Sequence, residues 1–305
     1  MSTQTLAPHP ADQIRRIPDP AEPIPAIALP VLGLFLGGHA LFWTSTALTV
    51  SDVLPWPVGM LLNAVACFVL FTVSHDAAHN SVSSNEHVTT WLGRLSTVMF
   101  AAHAGFRTWR FIHMQHHRFT NHDDGRDPDH WTHSGPKALL PLKWLTVDLW
   151  YMVFYLPKLG SRPKAERLEL FATWAVVGAV AAALIATGNA FELVVLYLVP
   201  MRLAVAFLAW SFDYLPHHGL EDHTQTTDKF KATRNRIGAE KVLSPLLLNQ
   251  NYHLVHHLHP RIPFHRYVAV WRKAEDRYLE HDPSLSTAGG RPLTVEEYRR
   301  LREMH

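Results

Sequence analysis

Residues 137–155 read KALLPLKWLTVDLWYMVFY, and whether this stretch crosses a membrane decides the fold. A bilayer core needs about 20 mostly apolar residues per helix, so the stretch is long enough to be considered. Pro141, Lys143 and Asp148 interrupt it, however, and Trp144 and Trp150 stand where an interfacial helix keeps its anchors. It is read as a helix lying in the interface. The stretch 88–102, with Trp91 near its start and Arg94 at its middle, is read the same way.

Four other stretches have the composition of spans: about 26–50, 56–74, 168–187 and 191–212. The gaps SDVLPWP and TGNA are short, so the four pair into two helical hairpins. Charge gives the orientation. Of the 28 lysines and arginines, 2 precede the first span, 11 fall between residues 75 and 167, and 14 follow residue 212. The hairpin tips carry none. The positive-inside rule then places both termini and the long middle loop in the cytoplasm of a multi-pass inner-membrane protein. The remaining arginine, Arg202, lies inside the fourth span. A substrate path or a carbonyl or carboxylate partner between helices would each account for it.

The chain has 305 residues and a net charge of only +2, which argues against a nucleic-acid binder of the strongly basic kind. Cys67 is its single cysteine, excluding an intramolecular disulfide, a cysteine-held zinc site or an iron–sulfur cluster of its own. The segment 1–25 is proline-rich and aperiodic, an arm rather than a cleaved signal peptide. Residues 26–267 are expected to form the membrane domain, and 268–305 a cytoplasmic tail.

Histidine is the conspicuous excess, at 22 residues. Three clusters follow one grammar: His75 and His79 in HDAAH, His113, His116 and His117 in HMQHH, and His253, His256 and His257 in HLVHH. On a helix, positions i, i+3 and i+4 share a face, so each cluster is expected to aim its rings at one point. The pair His217 and His218 closes the fourth span. With four spans every cluster lies on one membrane face, whereas a fifth span at 137–155 would separate the second from the third. The histidines therefore support four spans. Imidazole suits iron, copper, nickel and zinc. These nitrogens are too many for one ion, and two ions with four or five ligands each fit. Asp76, Asp127, Asp213 and Asn249 are candidate partners for the far ring nitrogens.

At these residues the chain resembles the membrane fatty acid desaturase and hydroxylase superfamily, marked by three histidine boxes. SHDAAHN, HHRFTNHDDGRDPDHW, FDYLPHH followed by GLEDH, and LLLNQNYHLVHHLHPRIPFHRY are more specifically similar to cyanobacterial-type β-carotene hydroxylases. The resemblance covers about residues 75–267. It implies an all-α integral membrane fold of four spans with a cytoplasmic helical cap. It also implies two iron ions (Fe2+/Fe3+) held by His75, His79, His113, His116, His117, His253, His256 and His257. The family's ninth histidine follows an Asn or Asp by four residues; Asp213 and His217 match, so His217 is chosen over His218. His218 itself departs from the arginine expected there.

The resemblance implies that O2, two electrons and two protons are consumed while hydrogen leaves an unactivated C–H of a long apolar substrate. Return of a hydroxyl gives an alcohol, with a β-carotene-like ring as the expected substrate. Loss of a second hydrogen gives an alkene, the alternative of a fatty acyl or lipid desaturase. A histidine-rich metal-binding protein or transporter is a further reading, disfavoured because its ligands would lie near the bilayer midplane. No G-x-G-x-x-G, haem or cysteine motif supplies electrons, so a separate donor is expected, a ferredoxin with its reductase.

Overall fold

The computed structural model describes residues 16–303; the first fifteen residues of the expected arm lie outside them. The arm's described part is draped on the body, where Ser84 N donates to Pro25 O at 2.9 Å and Lys273 Nζ to Pro20 O at 3.1 Å. The helices that follow are α1 (Leu29–Val50), α2 (Trp56–Ala78), α3 (Glu86–Phe100) and α4 (Phe106–Phe119). Next come α5 (Lys137–Leu145), α6 (Val147–Ser161), α7 (Lys164–Ala186) and α8 (Ala190–His217). Of these, α1, α2, α7 and α8 are long and apolar enough to cross a membrane. Proline stands in the first turn of both α1 and α2, where its missing N–H costs no helical bond. Asn85 caps α3, its side chain accepting from His87 N at 2.9 Å.

The stretch that opened the question is a bent pair, with α5 and α6 meeting at 76°. Asp148, two residues past the corner, receives the Arg202 guanidinium from α8 through both carboxylate oxygens, and Arg202 Nη1 also donates to Leu145 O at 2.8 Å. The mid-span arginine therefore has a carboxylate and a carbonyl as partners, and it ties the corner to α8. Arg94 of α3 is paired likewise: its Nε and Nη2 donate to Glu169 Oε2 of α7 at 2.9 and 2.7 Å.

Helix α8 contains two wider, π-helical segments, Val194–Leu198 and Ala209–Tyr214. The first precedes Pro200, which has no N–H for the Leu196 carbonyl one turn back. Asn63 of α2 fills that place, Nδ2 donating to Leu196 O at 2.7 Å and to Thr46 Oγ1 of α1 at 2.9 Å. One buried amide thus joins three spans by satisfying a backbone group that lipid could not. Gly93 lets α3 and α4 close together, since a Cβ there would lie 2.4 Å from the Phe106 ring.

Two helices outrun the ends read from hydropathy. Helix α2 continues past residue 74 to Ala78 and α8 past 212 to His217. His75, Asp76 and Asp213 lower hydropathy without disturbing helical geometry. After α8 come β1 (Asn235–Ile237), α9 (Glu240–Leu246), α10 (His253–Leu258), α11 (Tyr267–Lys273) and α12 (Glu275–Leu279). They are followed by β2 (Leu285–Thr287), β3 (Pro292–Leu293) and α13 (Val295–Glu303). Strand β2 pairs parallel with β1 and antiparallel with β3, a small sheet that the all-α reading lacked. The segment after Tyr267, expected as a tail, is packed onto the body. Trp271, Tyr278 and Tyr298 are fully buried, and Trp271 Nε1 donates to the Tyr298 hydroxyl at 2.8 Å.

Candidate metal centre

The last turn of α2, the second half of α4, the end of α8 and all of α10 bring nine histidines together. They form two groups. His75, His79, His113, His117 and His256 make one; His116, His217, His253 and His257 make the other, with ligand atoms within 4.8 Å of one another in each group. The sequence expectation that each box aims at one point is corrected here. His113 and His117 turn to the first group while His116 turns to the second, and HLVHH divides as well, giving His256 to the first and His253 and His257 to the second. The reason is helical geometry. Residues i and i+4 nearly eclipse, whereas the residue between them at i+3 leans to the other side of the shared face.

The ring nitrogens meet tip to tip. His75 Nε2 lies 3.0 Å from His256 Nε2, and His79 Nε2 lies 2.8 Å from His113 Nε2. His117 and His256 approach to 2.9 Å, and His253 and His257 to 3.1 Å. Two imidazoles bound at right angles about 2.1 Å from one ion would stand about 3.0 Å apart, so the spacing suits ligands of a shared ion. His217 Nε2 is buried with no hydrogen-bond partner among the described residues, an orphaned atom that an ion would satisfy.

The opposite nitrogens strengthen this fit. His116 Nδ1 donates to Asp127 Oδ1 at 2.9 Å, His253 Nδ1 to Gln250 Oε1 at 3.2 Å, and His217 Nδ1 to Ala232 O at 3.2 Å. His256 Nδ1 meets the Tyr267 hydroxyl at 2.9 Å, His257 Nδ1 meets Thr120 Oγ1 at 3.5 Å, and His75 Nδ1 meets Asp76 Oδ1 at 3.4 Å. An oxygen at Nδ1 holds a proton there and leaves the Nε2 lone pair for a metal. Burial pushes His79, His113, His117, His253, His256 and His257 well below the usual histidine range, which keeps these rings neutral. At His116 burial acts the same way, but the Asp129 and Asp127 carboxylates outweigh it and hold the ring up at about 9. An ion arriving at His116 therefore displaces a proton.

The remaining candidates fall elsewhere. Asp76 also accepts from Phe264 N at 3.0 Å, linking α2 to the chain after α10. Asp213 faces the cleft beside the histidines without a hydrogen bond to His217. Asn249 occupies a left-handed turn at φ 62°, and its neighbour Gln250 makes the imidazole contact instead. His218 turns away and stacks on Tyr214 at 4.7 Å. His122 is bonded to Thr226 Oγ1 at 3.1 Å, outside both groups.

Sequence reading passed over Gln250, Thr120, Tyr267 and Asp129. Gln250 precedes His253 by three residues, in the turn leading into α10, and Asp129 follows Asp127 in a D-x-D, so both had a local signal. Tyr267 had none, because its contact depends on how α11 folds back on α10. The Asp127 carboxylate also accepts from Asn121 N at 2.7 Å and Asp129 N at 2.9 Å, so it is held rigidly against His116. Asp127→Asn is expected to weaken metal affinity about 10–100-fold, read as the chelator concentration that strips the protein. Unchanged retention would show that Asp127 does not orient His116.

Members of both groups border one narrow cleft of about 50 Å³ between α2, α4, α6 and α8. His75, His113, His116 and His253 form its floor, and Phe71, Phe100, Trp109, Val205, Leu208 and Phe212 line much of the rest.

The fatty acid desaturase family profile matches residues 51–289, which takes in every histidine of both groups. This chain belongs to the fatty acid desaturase family. As a family member it is a membrane oxidoreductase of the oxygenase and desaturase class. A β-carotene ketolase of Paracoccus sp. (strain N81106 / MBIC 01143) is 31% identical over 68% of this chain and 75% of its own length. The sn-2 acyl-lipid omega-3 desaturase (ferredoxin) of Arabidopsis thaliana chloroplasts is 24% identical over 79% of this chain. This chain spans only 60% of that plant protein's length. A dihydrorhizobitoxine desaturase of Bradyrhizobium elkanii is 29% identical over 68% of this chain and 64% of its own length.

Proposed function

We propose that the chain is an O2-dependent di-iron oxygenase that inserts oxygen at an unactivated C–H of a β-carotene-like ring. The observation that carries this reading is the apolar cleft whose floor is made of ligands from both histidine groups. Its occupant is long and apolar, and the part reaching the floor is the part oxidised.

In this reading His75, His79, His113, His117 and His256 hold one iron, and His116, His217, His253 and His257 hold the other. Bound irons supply the one-electron chemistry that reduces O2 and removes hydrogen from carbon, with electrons from an outside donor. The chain's own residues do the rest. Phe71, Phe100, Trp109 and Phe212 exclude water and seat the apolar substrate. The Tyr151 hydroxyl donates to Asp129 Oδ1 at 2.6 Å at the cleft wall, holding a proton close to His116. Gln250, Tyr267, Thr120 and Asp127 fix the rings in the ligating tautomer. The basic middle loop and C-terminal segment support a cytoplasmic position for the histidines, where a ferredoxin with its reductase would deliver electrons.

Acyl desaturation is the second reading, supported by the plant omega-3 desaturase relative, whose name also specifies ferredoxin. Expression in a host that makes β-carotene, with a ferredoxin and reductase, separates the two. Hydroxylated or ketonic pigments are expected, since oxygen inserted twice at one carbon yields a ketone. Unchanged pigment with a new acyl double bond would replace the carotenoid reading by the desaturase one.

A further inference from the structure

The cleft has one polar corner that the proposed chemistry does not use. His103 stands in the turn between α3 and α4, where Trp174 Nε1 donates to its carbonyl at 2.7 Å and pins the turn. Its side chain is only 17% exposed, and neither ring nitrogen has a hydrogen-bond partner among the described residues. Nδ1 lies 3.6 Å from Asp148 Oδ2, beyond hydrogen-bond length. His103 and Asp148 border the same cleft as His75, His113, His116 and His253. A buried imidazole whose two nitrogens lack hydrogen bonds is costly unless a ligand meets it.

The neighbours determine what that ligand offers. Burial pushes His103 down to about 4, against the opposing pull of Asp148, so the ring is neutral at neutral pH and carries one proton. The Asp148 carboxylate favours that proton on Nδ1, the nitrogen facing it. Nε2 is then an acceptor without a donor. An alcohol provides the donor. A ketone, ester or carboxylate presents only lone pairs to Nε2, and a hydrocarbon presents nothing. Asp148 cannot turn toward the ligand, because Arg202 holds both its oxygens.

We propose that His103 is a specificity subsite for a substrate hydroxyl, so that the preferred substrate is a long apolar alcohol rather than a pure hydrocarbon. The inference rests on the reading of the cleft as the substrate site. It implies that a hydroxylation precedes this enzyme's step, because a hydroxyl-bearing molecule must be supplied to it.

The test uses the full chain in lipid nanodiscs and two matched probe pairs: β-carotene with its singly hydroxylated derivative, and a stearoyl lipid with its hydroxystearoyl counterpart. Kd is measured directly by spectral or competition titration, alongside turnover. In the preferred pair the alcohol is expected to bind about 10–100-fold tighter, the factor that corresponds to leaving one buried acceptor unmet. His103→Phe is expected to bring that ratio close to one, while His103→Gln, which keeps a donor and an acceptor, retains most of it. A wild-type ratio near one, or a ratio untouched in His103→Phe, overturns the proposal. A preference found only in the acyl pair upholds the role of His103 and overturns the carotenoid reading instead.

Discussion

Replacing His116 with alanine is expected to lower bound iron by about half or more and to reduce turnover below detection, while the protein still folds and inserts. His116 is one of four rings in the second histidine group and the only member of its box that turns there. The variant leaves three imidazoles, His217, His253 and His257, and opens the place where Nε2 would bind. The surrounding fold has reason to survive. Asp127 keeps its bonds from Asn121 N and Asp129 N, and the Thr120 Oγ1 bond to the residue 116 carbonyl, 2.8 Å long with histidine there, is to backbone and needs no imidazole. The neighbouring His122 supplies the control. It lies four residues on, bonds to Thr226 and belongs to neither group, so His122→Ala is expected to keep its iron and its activity. Metal analysis of the purified proteins, with turnover in the same preparation, checks both. Full iron and full activity in His116→Ala would remove His116 from the ligand set.

The comparison of these two histidines shows how far sequence could go. Four long apolar helices and three histidine boxes follow from hydropathy and spacing, because each is a local property of the chain. The stretch 137–155 reads as one interfacial helix, and its bend at Thr146 was not legible in the sequence. The distribution of rings between two groups was not legible in the same way. Spacing puts His113, His116 and His117 on one broad face with His116 leaning to one side, and the positions of α8 and α10 turn that lean into membership of a separate group. The same holds for the oxygen partners at Nδ1. Gln250 lies three residues before His253, but Tyr267 reaches His256 only because the chain folds back after α10. The three-stranded sheet escaped for a related reason: its strands are two or three residues long and β1 pairs with a strand some fifty residues away.

Arg202 carries the other large expected effect. Sequence left two explanations for a mid-span arginine, and the structure gives it a partner: Asp148, whose side chain is 4% exposed, with Arg202 itself 31% exposed. Arg202→Leu would strand the carboxylate at the corner of α5 and α6. Removing one member of such a pair costs about 3–5 kcal/mol, and the partial exposure of Arg202 puts the expectation near the lower end. At about 2 °C per kcal/mol for a chain of this size, that is a fall of about 6 °C in Tm. The double variant Arg202→Leu with Asp148→Leu is the informative comparison. It removes the stranded charge along with its partner, so it is expected to recover most of the loss even though the ion pair is gone. Thermal unfolding of the three proteins in one detergent measures the difference. Were the pair merely incidental, Arg202→Leu would melt with the wild type and the double variant would bring no recovery. A lowered Tm in the single variant with recovery in the double means that Arg202 is there to neutralise Asp148, and that the corner bordering the cleft is held by that contact.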